Sequence, residues 1–334
     1  MMLRGLLFAA AGVFALLGAV PLVQAGAAPP RPVVVDTDLS PDDWMALLFL
    51  LKRADVDVKA ITVGGVGTAH CATGIKNAMR LTALAGKPDV PVACGTKNPA
   101  VPSWSPASES MLGLKLPDNS NKPTKPTALK LLQQTIDSSA TPVTIVALAP
   151  LTNIAELVGA DTKLSSHVDR IYIMGGALDT GGNLAGIIKT KNTTAEWNIY
   201  TDPAAASTVL QSKLPITMVG LDATQHAPIT VAFYDQLGKN DTAPAAKFVH
   251  DVMSKQMDFV KSGYWFFWDP LDAAVAADNS LVTVQPETVK VITAKGNETG
   301  RIVRDKDGGA VSLAENPNTA LFEQEFIAAL NAGG

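Results

Sequence analysis

Three valines followed by four carboxylates constrain this chain most. Val33-Val34-Val35 is a short β-branched run of the kind that fills a buried strand, and Asp36, Asp38, Asp42 and Asp43 follow it directly. Ser40-Pro41 is a helix start, an N-cap with proline in the first turn. The run from Trp44 to Leu51 then reads as a buried helix. A strand that feeds a helix through so tight a loop puts its acids at the carboxyl edge of a parallel sheet, where open α/β folds take their ligands.

Four acids this close repel one another unless positive charge sits among them, and a hard, oxygen-seeking cation, Ca²⁺ or Mg²⁺, is the natural candidate. The helix N-terminus relieves only about 0.3–1 kcal/mol per charge. The competing reading has Asp42 and Asp43 merely capping the helix, with Asp36 and Asp38 in a solvated turn. An EF-hand is excluded, because Pro41 stands where it needs glycine and Leu47 where it needs glutamate. Asp36-x-Asp38-x-Ser40 also resembles the nucleophile loop of haloacid-dehalogenase-like phosphatases, in which Asp36 would be the nucleophile.

The same rhythm of apolar strand, Gly or Asp turn and helix recurs. Val58–Val63, Val143–Leu148, Arg170–Met174 and Ile216–Val219 read as strands, and Ile75–Ala85 as an amphipathic helix closed by Gly86-Lys87-Pro88. Val289–Ala294 and Arg301–Val303 alternate as an antiparallel pair would, and a helix from Asn318 to Asn331 closes the chain. The expected fold is therefore α/β, a mostly parallel, Rossmann-like central sheet flanked by helices, with a small antiparallel addition near the C-terminus. Residues 96–126, rich in Pro, Ser, Asn and Lys around Trp104, read as a mobile flap over the site, with a plain surface insertion as the alternative.

Composition narrows the partners. The 334 residues are 47% hydrophobic with a net charge of −4, and no basic stripe exists to neutralise the phosphates of a nucleic-acid polymer. Residues 1–25 have the basic start, apolar run and Val23-Gln24-Ala25 ending of a cleavable export signal, with an uncleaved anchor as the alternative. Residues 26–31 form a short arm, and the rest reads as one domain from 32 to 334, periplasmic or secreted and free of the membrane once the signal is removed. Cys71 and Cys94 are the only cysteines; either a disulfide or two buried thiols is compatible with their spacing.

Several fragments then stand in a fixed order: the acidic loop, Leu148-Ala149-Pro150-Leu151-Thr152-Asn153, Met174-Gly175-Gly176-Ala177, Gly182-Asn183, Glu196-Trp197-Asn198, and Trp268-Asp269-Pro270. Together they make a chain that resembles the inosine/uridine-preferring nucleoside hydrolases, from about Pro32 to the C-terminus. The resemblance implies hydrolysis of a ribonucleoside to ribose and free base, one Ca²⁺ held by Asp38, Asp43, Asp269 and the Leu148 carbonyl, and Asp38 as the base. It implies that Asp42, Asn183, Glu196 and Asn198 hold the ribose hydroxyls and that Asp36 orients them from behind. It implies a homodimer or homotetramer. Chemistry agrees, because breaking an N-glycosidic bond builds positive charge on the sugar, which a carboxylate-rich pocket stabilises.

Departures bear on the leaving base. Leu39-Ser40 replaces the family's usual Pro-Gly, and Val66 replaces a frequent asparagine. Trp268 stands where the inosine- and uridine-hydrolysing members carry a histidine, and an indole cannot act as an acid. Trp268 is expected to stack on a purine instead, with Trp104 or Trp265 as a second face and His226 as the one histidine near the site. The remaining alternative is a binding protein that keeps the pocket without turnover.

Overall fold

The computed structural model describes residues 29–65, 67–98, 100–101, 104–160 and 164–333. The expected export signal, residues 26–28 of the arm and Val66 lie outside the described residues. Nine strands form one sheet: β1 (Arg31–Thr37), β2 (Val56–Val63), β3 (Val92–Cys94), β4 (Val143–Ala147), β5 (Val168–Ile173), β6 (Ile216–Met218), β7 (Thr283–Val291), β8 (Ile302–Arg304) and β9 (Gly309–Glu315). Their order is β3-β2-β1-β4-β5-β6-β9-β7-β8. Every pair from β3 to β9 is parallel, whereas β7 runs antiparallel to both β8 and β9.

Alternation explains the layers. Val33 and Val35 of β1 face one buried cluster and Val34 faces the other, so both faces of the strand are dry. The first cluster contains the helix Pro41–Lys52, buried from Asp42 to Leu51, together with residues of the helices Trp268–Ala277 and Thr319–Asn331. The second contains residues of the helices Ala128–Ser138, Thr152–Ala160 and Pro203–Leu210. Strand order reverses between β1 and β4, and the acidic loop and Leu148 follow these two strands at their carboxyl ends.

The antiparallel addition is larger than expected. The pairing of Val289–Val291 with Ile302–Arg304 occurs as read, but β9 and the first half of β7 carry no clear signal because Thr283–Pro286 is exposed on the sheet margin. The helix read from Ile75 begins at Cys71. Gly74 in its first turn is small for packing: a Cβ on it would lie 2.8 Å from Val63 Cγ1. Residues 104–126 are fastened to the body rather than loose, with Met111 buried and Asn119 donating to the Met79 and Pro88 carbonyls at 3.0 and 2.9 Å. No helix among the described residues is long and apolar enough to cross a membrane.

Candidate active site

The loop between β1 and the first helix is a set of interlocked caps. Asp43 accepts from the Ser40 N–H at 3.0 Å, the Ser40 hydroxyl at 2.7 Å, the Asp38 N–H at 3.2 Å and the Thr37 hydroxyl, and Ser40 also donates to Asp42. Fully buried Leu39 takes a left-handed backbone, φ 65°, in the position where the resemblance led us to expect an altered loop. Such a conformation costs about 1–2 kcal/mol outside glycine. The Trp44 indole N–H on the Leu39 carbonyl, at 2.8 Å, holds it.

This loop forms the floor of a cavity of about 400 Å³, lined by Asp38, Asp42, Asp43, Leu148, Asn183, Glu196, Asn198, Trp268 and Asp269, with Trp104 at its edge. Carboxylate oxygens of Asp42, Asp43 and Asp269 lie within 4.8 Å of one another. Asp38, expected as a ligand, is not one of this trio but lies beside Asp43, whereas Asp42, expected only at the sugar, stands in the cluster. Burial first, then the neighbouring charges of Asp43 and Asp42, pushes Asp38 and Asp269 well above the usual carboxylate range. Asp42 is pushed up to about 7 by burial and by Asp43. Each ionised pair at this spacing costs of the order of 4 kcal/mol at an effective dielectric of about 20. No lysine, arginine or histidine is among the described residues of the lining, so the donor set fits a hard divalent cation.

Glu196 and Asn198 are buried, not surface polar residues. Glu196 caps the short helix Trp197–Thr201 and accepts from the N–H groups of Asn198 at 2.8 Å, Gly176 at 3.0 Å and Ile199 at 3.1 Å. Burial still raises its pKa. The Asn198 amide donates to the Leu148 carbonyl at 2.9 Å and to that of Met174 at 3.0 Å. Asn183 Oδ1 and Trp268 Nε1 are buried with no hydrogen-bond partner among the described residues and belong to side chains that line the cavity. Both are therefore open to a ligand.

Asp36 sits behind. It is 1% exposed, outside the lining, and its Oδ1 accepts from Thr62 at 2.6 Å and Asn153 at 2.7 Å. Burial pushes it up to about 7. A shielded carboxylate in that position has no path to a phosphate ester, which removes the phosphatase reading.

Two expected neighbours of the leaving base are placed elsewhere. Trp265 is 2% exposed in the core, stacked on Phe259, and His226 is exposed and outside the lining. Phe259 and Phe266, not Trp265, touch Trp268. His70, which carried no partner signature, pairs with Glu109 at 2.5 Å and lies beside Trp104 at 5.3 Å between ring centroids. Thr68, Ser105, Ile187 and Ile188 also line the cavity. They come from loops with no motif; only the glycine-rich run ending near Thr68 hinted at one of them.

A model of the inosine-uridine preferring nucleoside hydrolases matches residues 33–325. The chain belongs to this family. It is 35% identical over 241 residues to the pyrimidine-specific ribonucleoside hydrolase RihA of Salmonella enteritidis, covering 71% of this chain and 74% of that one. Among solved structures it is similar to a plant nucleoside hydrolase, PpNRh1, with TM-score 0.81, 27% identity and coverage of 91% and 100%. It is also similar to a purine-preferring ribonucleoside hydrolase from Gardnerella vaginalis, with TM-score 0.78, 25% identity and coverage of 90% and 98%. As a nucleoside hydrolase, the chain is an enzyme acting on N-glycosyl compounds.

Proposed function

We propose that this nucleoside hydrolase is calcium-dependent, releases ribose and free base from ribonucleosides and favours purines. The observation that carries the reading is a cavity lined by five carboxylates and, among the described residues, no cationic side chain, with Trp268 on its wall. Asp38, Asp43, Asp269 and the Leu148 carbonyl would hold Ca²⁺, with Asp42 close enough to share it. When bound there, the ion supplies positive charge beside the attacking water and offsets the mutual repulsion of the carboxylates. Asp38 takes the water's proton, a role typically worth about 10²–10⁴-fold.

Asp42, Asn183, Glu196 and Asn198 hold the ribose hydroxyls. Glu196 is fixed for this by three backbone N–H groups, and the negative lining stabilises the oxocarbenium charge that grows on the sugar. Trp268 lays its face on the base and offers its unpartnered N–H as a donor. The relatives divide between a pyrimidine-specific enzyme and a purine-preferring one. A broad indole in place of an acid favours the larger ring system, whose departure depends less on a proton donated at this position.

The chain is further proposed to be exported after loss of residues 1–25, to act as one catalytic domain from residue 32 onward and to assemble as a dimer or tetramer. Inosine, adenosine, uridine and cytidine incubated with purified protein, with and without a chelator, test the reading by the appearance of reducing sugar. Release from purines that stops on chelation supports it. Binding without product would instead make the chain a nucleoside-binding protein.

A further inference from the structure

Cys71 and Cys94 form a disulfide, with Cα atoms 5.7 Å apart, and it lies where two segments that hold the catalytic-loop carboxylates meet. On one side the loop after β2 wraps Asp38. Gly64 N–H donates to the Thr37 carbonyl at 2.8 Å, and the Thr68 hydroxyl and Ala69 N–H donate to the Asp38 carbonyl at 2.9 and 3.3 Å. Gly67 lies so close that a Cβ there would stand 2.2 Å from Asp38 Cβ. Cys71 follows as the first residue of the next helix.

On the other side Cys94 ends β3, and Gly95 lies flat against Asn153: a Cβ on it would stand 2.1 Å from Asn153 Oδ1. Asn153 in turn donates to Asp36 at 2.7 Å and to the Val63 carbonyl at 3.1 Å. Cys71 Sγ is 3.9 Å from the Gly65 carbonyl oxygen and 3.6 Å from that of Gly95. β3 is a three-residue edge strand paired only with β2, and the segments beside it contain Gly64, Gly65, Gly67 and Gly95, so the bridge adds a covalent tie to the hydrogen bonds that hold these permissive backbones in place.

We propose that the Cys71–Cys94 bridge is a positioning device for catalysis: it clamps Gly64, Gly65 and the Gly67–Ala69 stretch to Gly95 and so keeps Asp38 and Asp36 in their working arrangement, which makes turnover sensitive to thiol reductants. This rests on the reading of Asp38 as the base. A dithiol reductant breaks the S–S bond; each cysteine sulfur gains one electron and one proton, and the reductant closes to its own disulfide. Both cysteines are partly exposed, within reach of such a reagent.

The test compares three forms of the full chain at 25 °C: oxidised, reduced with dithiothreitol, and the Cys71→Ala/Cys94→Ala variant, which leaves small apolar side chains. Hydrogen exchange over residues 64–70 should quicken about 10-fold in both unbridged forms while β4 and β5 stay protected. In the same forms kcat on a ribonucleoside should fall about 10-fold with KM nearly constant, and reoxidation of the reduced wild type should restore both readings. Unchanged exchange and kcat with only a lower melting temperature would make the bridge a mere staple and overturn the proposal. So would full alkylation of both thiols without reductant. If no form turns over any ribonucleoside, the functional reading fails alone, and the exchange over 64–70 decides the clamp by itself.

Discussion

The Asn198 side-chain amide donates to the Leu148 carbonyl oxygen at 2.9 Å, so a residue expected at the sugar also steadies a backbone oxygen expected at the ion. Its second bond, to Met174 at 3.0 Å, ties the ends of β4 and β5 together. Asn198→Asp sets a carboxylate against both carbonyls and leaves them without a donor, a loss of about 1–3 kcal/mol for the buried groups. kcat/KM should drop by about 10²-fold and the melting temperature should fall with it, measured side by side on one preparation.

Metal removal should change stability most at neutral and alkaline pH. The pKa values of Asp38, Asp42 and Asp269 are raised by burial and crowding, so the folded state binds more protons than the unfolded one. Their contribution to stability without a cation is therefore complete below about pH 4 and is lost as pH rises through about 7, where Asp42 titrates. Melting curves in chelator should show that decline, and Ca²⁺ should flatten it. A chelated protein that melts at the same temperature at pH 5 and pH 8 would contradict the repulsion argument.

Asp269→Asn separates repulsion from binding. A side-chain hydrogen bond joins Asp269 to Asp43, and an amide N–H can still donate to Asp43, so the substitution removes a charge from the cluster while keeping that link. The metal-free variant should melt several degrees higher than wild type at pH 8, while the rise produced by Ca²⁺ shrinks and turnover falls by at least about 10²-fold. Differential scanning fluorimetry with a calcium titration reads both signs.

Asp272, one turn further along the same helix, is fully buried and neither oxygen has a hydrogen-bond partner among the described residues. Burial holds it in its neutral form well above the usual carboxylate range. Its contribution to stability is complete below about pH 4 and is lost as pH rises through its raised pKa. With Ca²⁺ present, whatever alkaline slope of the melting temperature persists should vanish in Asp272→Asn while kcat is retained.

Trp268 sets the preference among bases. Trp268→Ala should cut kcat/KM for purine ribonucleosides about 10-fold, the order of one lost aromatic stack with its buried area. Trp268→His places an ionisable ring at the same wall and should raise uridine turnover relative to inosine. A ratio of the two substrates unmoved by either substitution would take Trp268 out of base recognition.

The carboxylate cluster was legible because its spacing is chemical. Acids packed between a β-branched strand and a capped helix have few uses, and Asp269 announced itself within Trp268-Asp269-Pro270. The central strands were legible because valine and isoleucine runs have no other place to go. Thr68, Ser105 and Ile187 were not, since they enter the cavity from loops whose approach is fixed by distant packing. Trp265 and His226 lie away from the cavity for the complementary reason: closeness along the chain to a site motif does not decide which way a side chain packs. β9 was missed because its inner partner, β6, is only three residues long and its outer partner begins in an exposed stretch. The bridge, finally, depended on β3 lying beside the loop before Cys71, which no local pattern reveals.

Asp43 lies in the first turn of the helix Pro41–Lys52 and Asp269 in that of the helix Trp268–Ala277, more than two hundred residues on, yet the two helices are packed together and their acids share one spot. A polypeptide that has grown only as far as the central strands therefore owns only part of the charge cluster, and the complete donor set exists only once the later helix has docked. Any ion that prefers this spot acts as a rivet between beginning and end, and reports that the whole molecule, rather than one lobe of it, has closed.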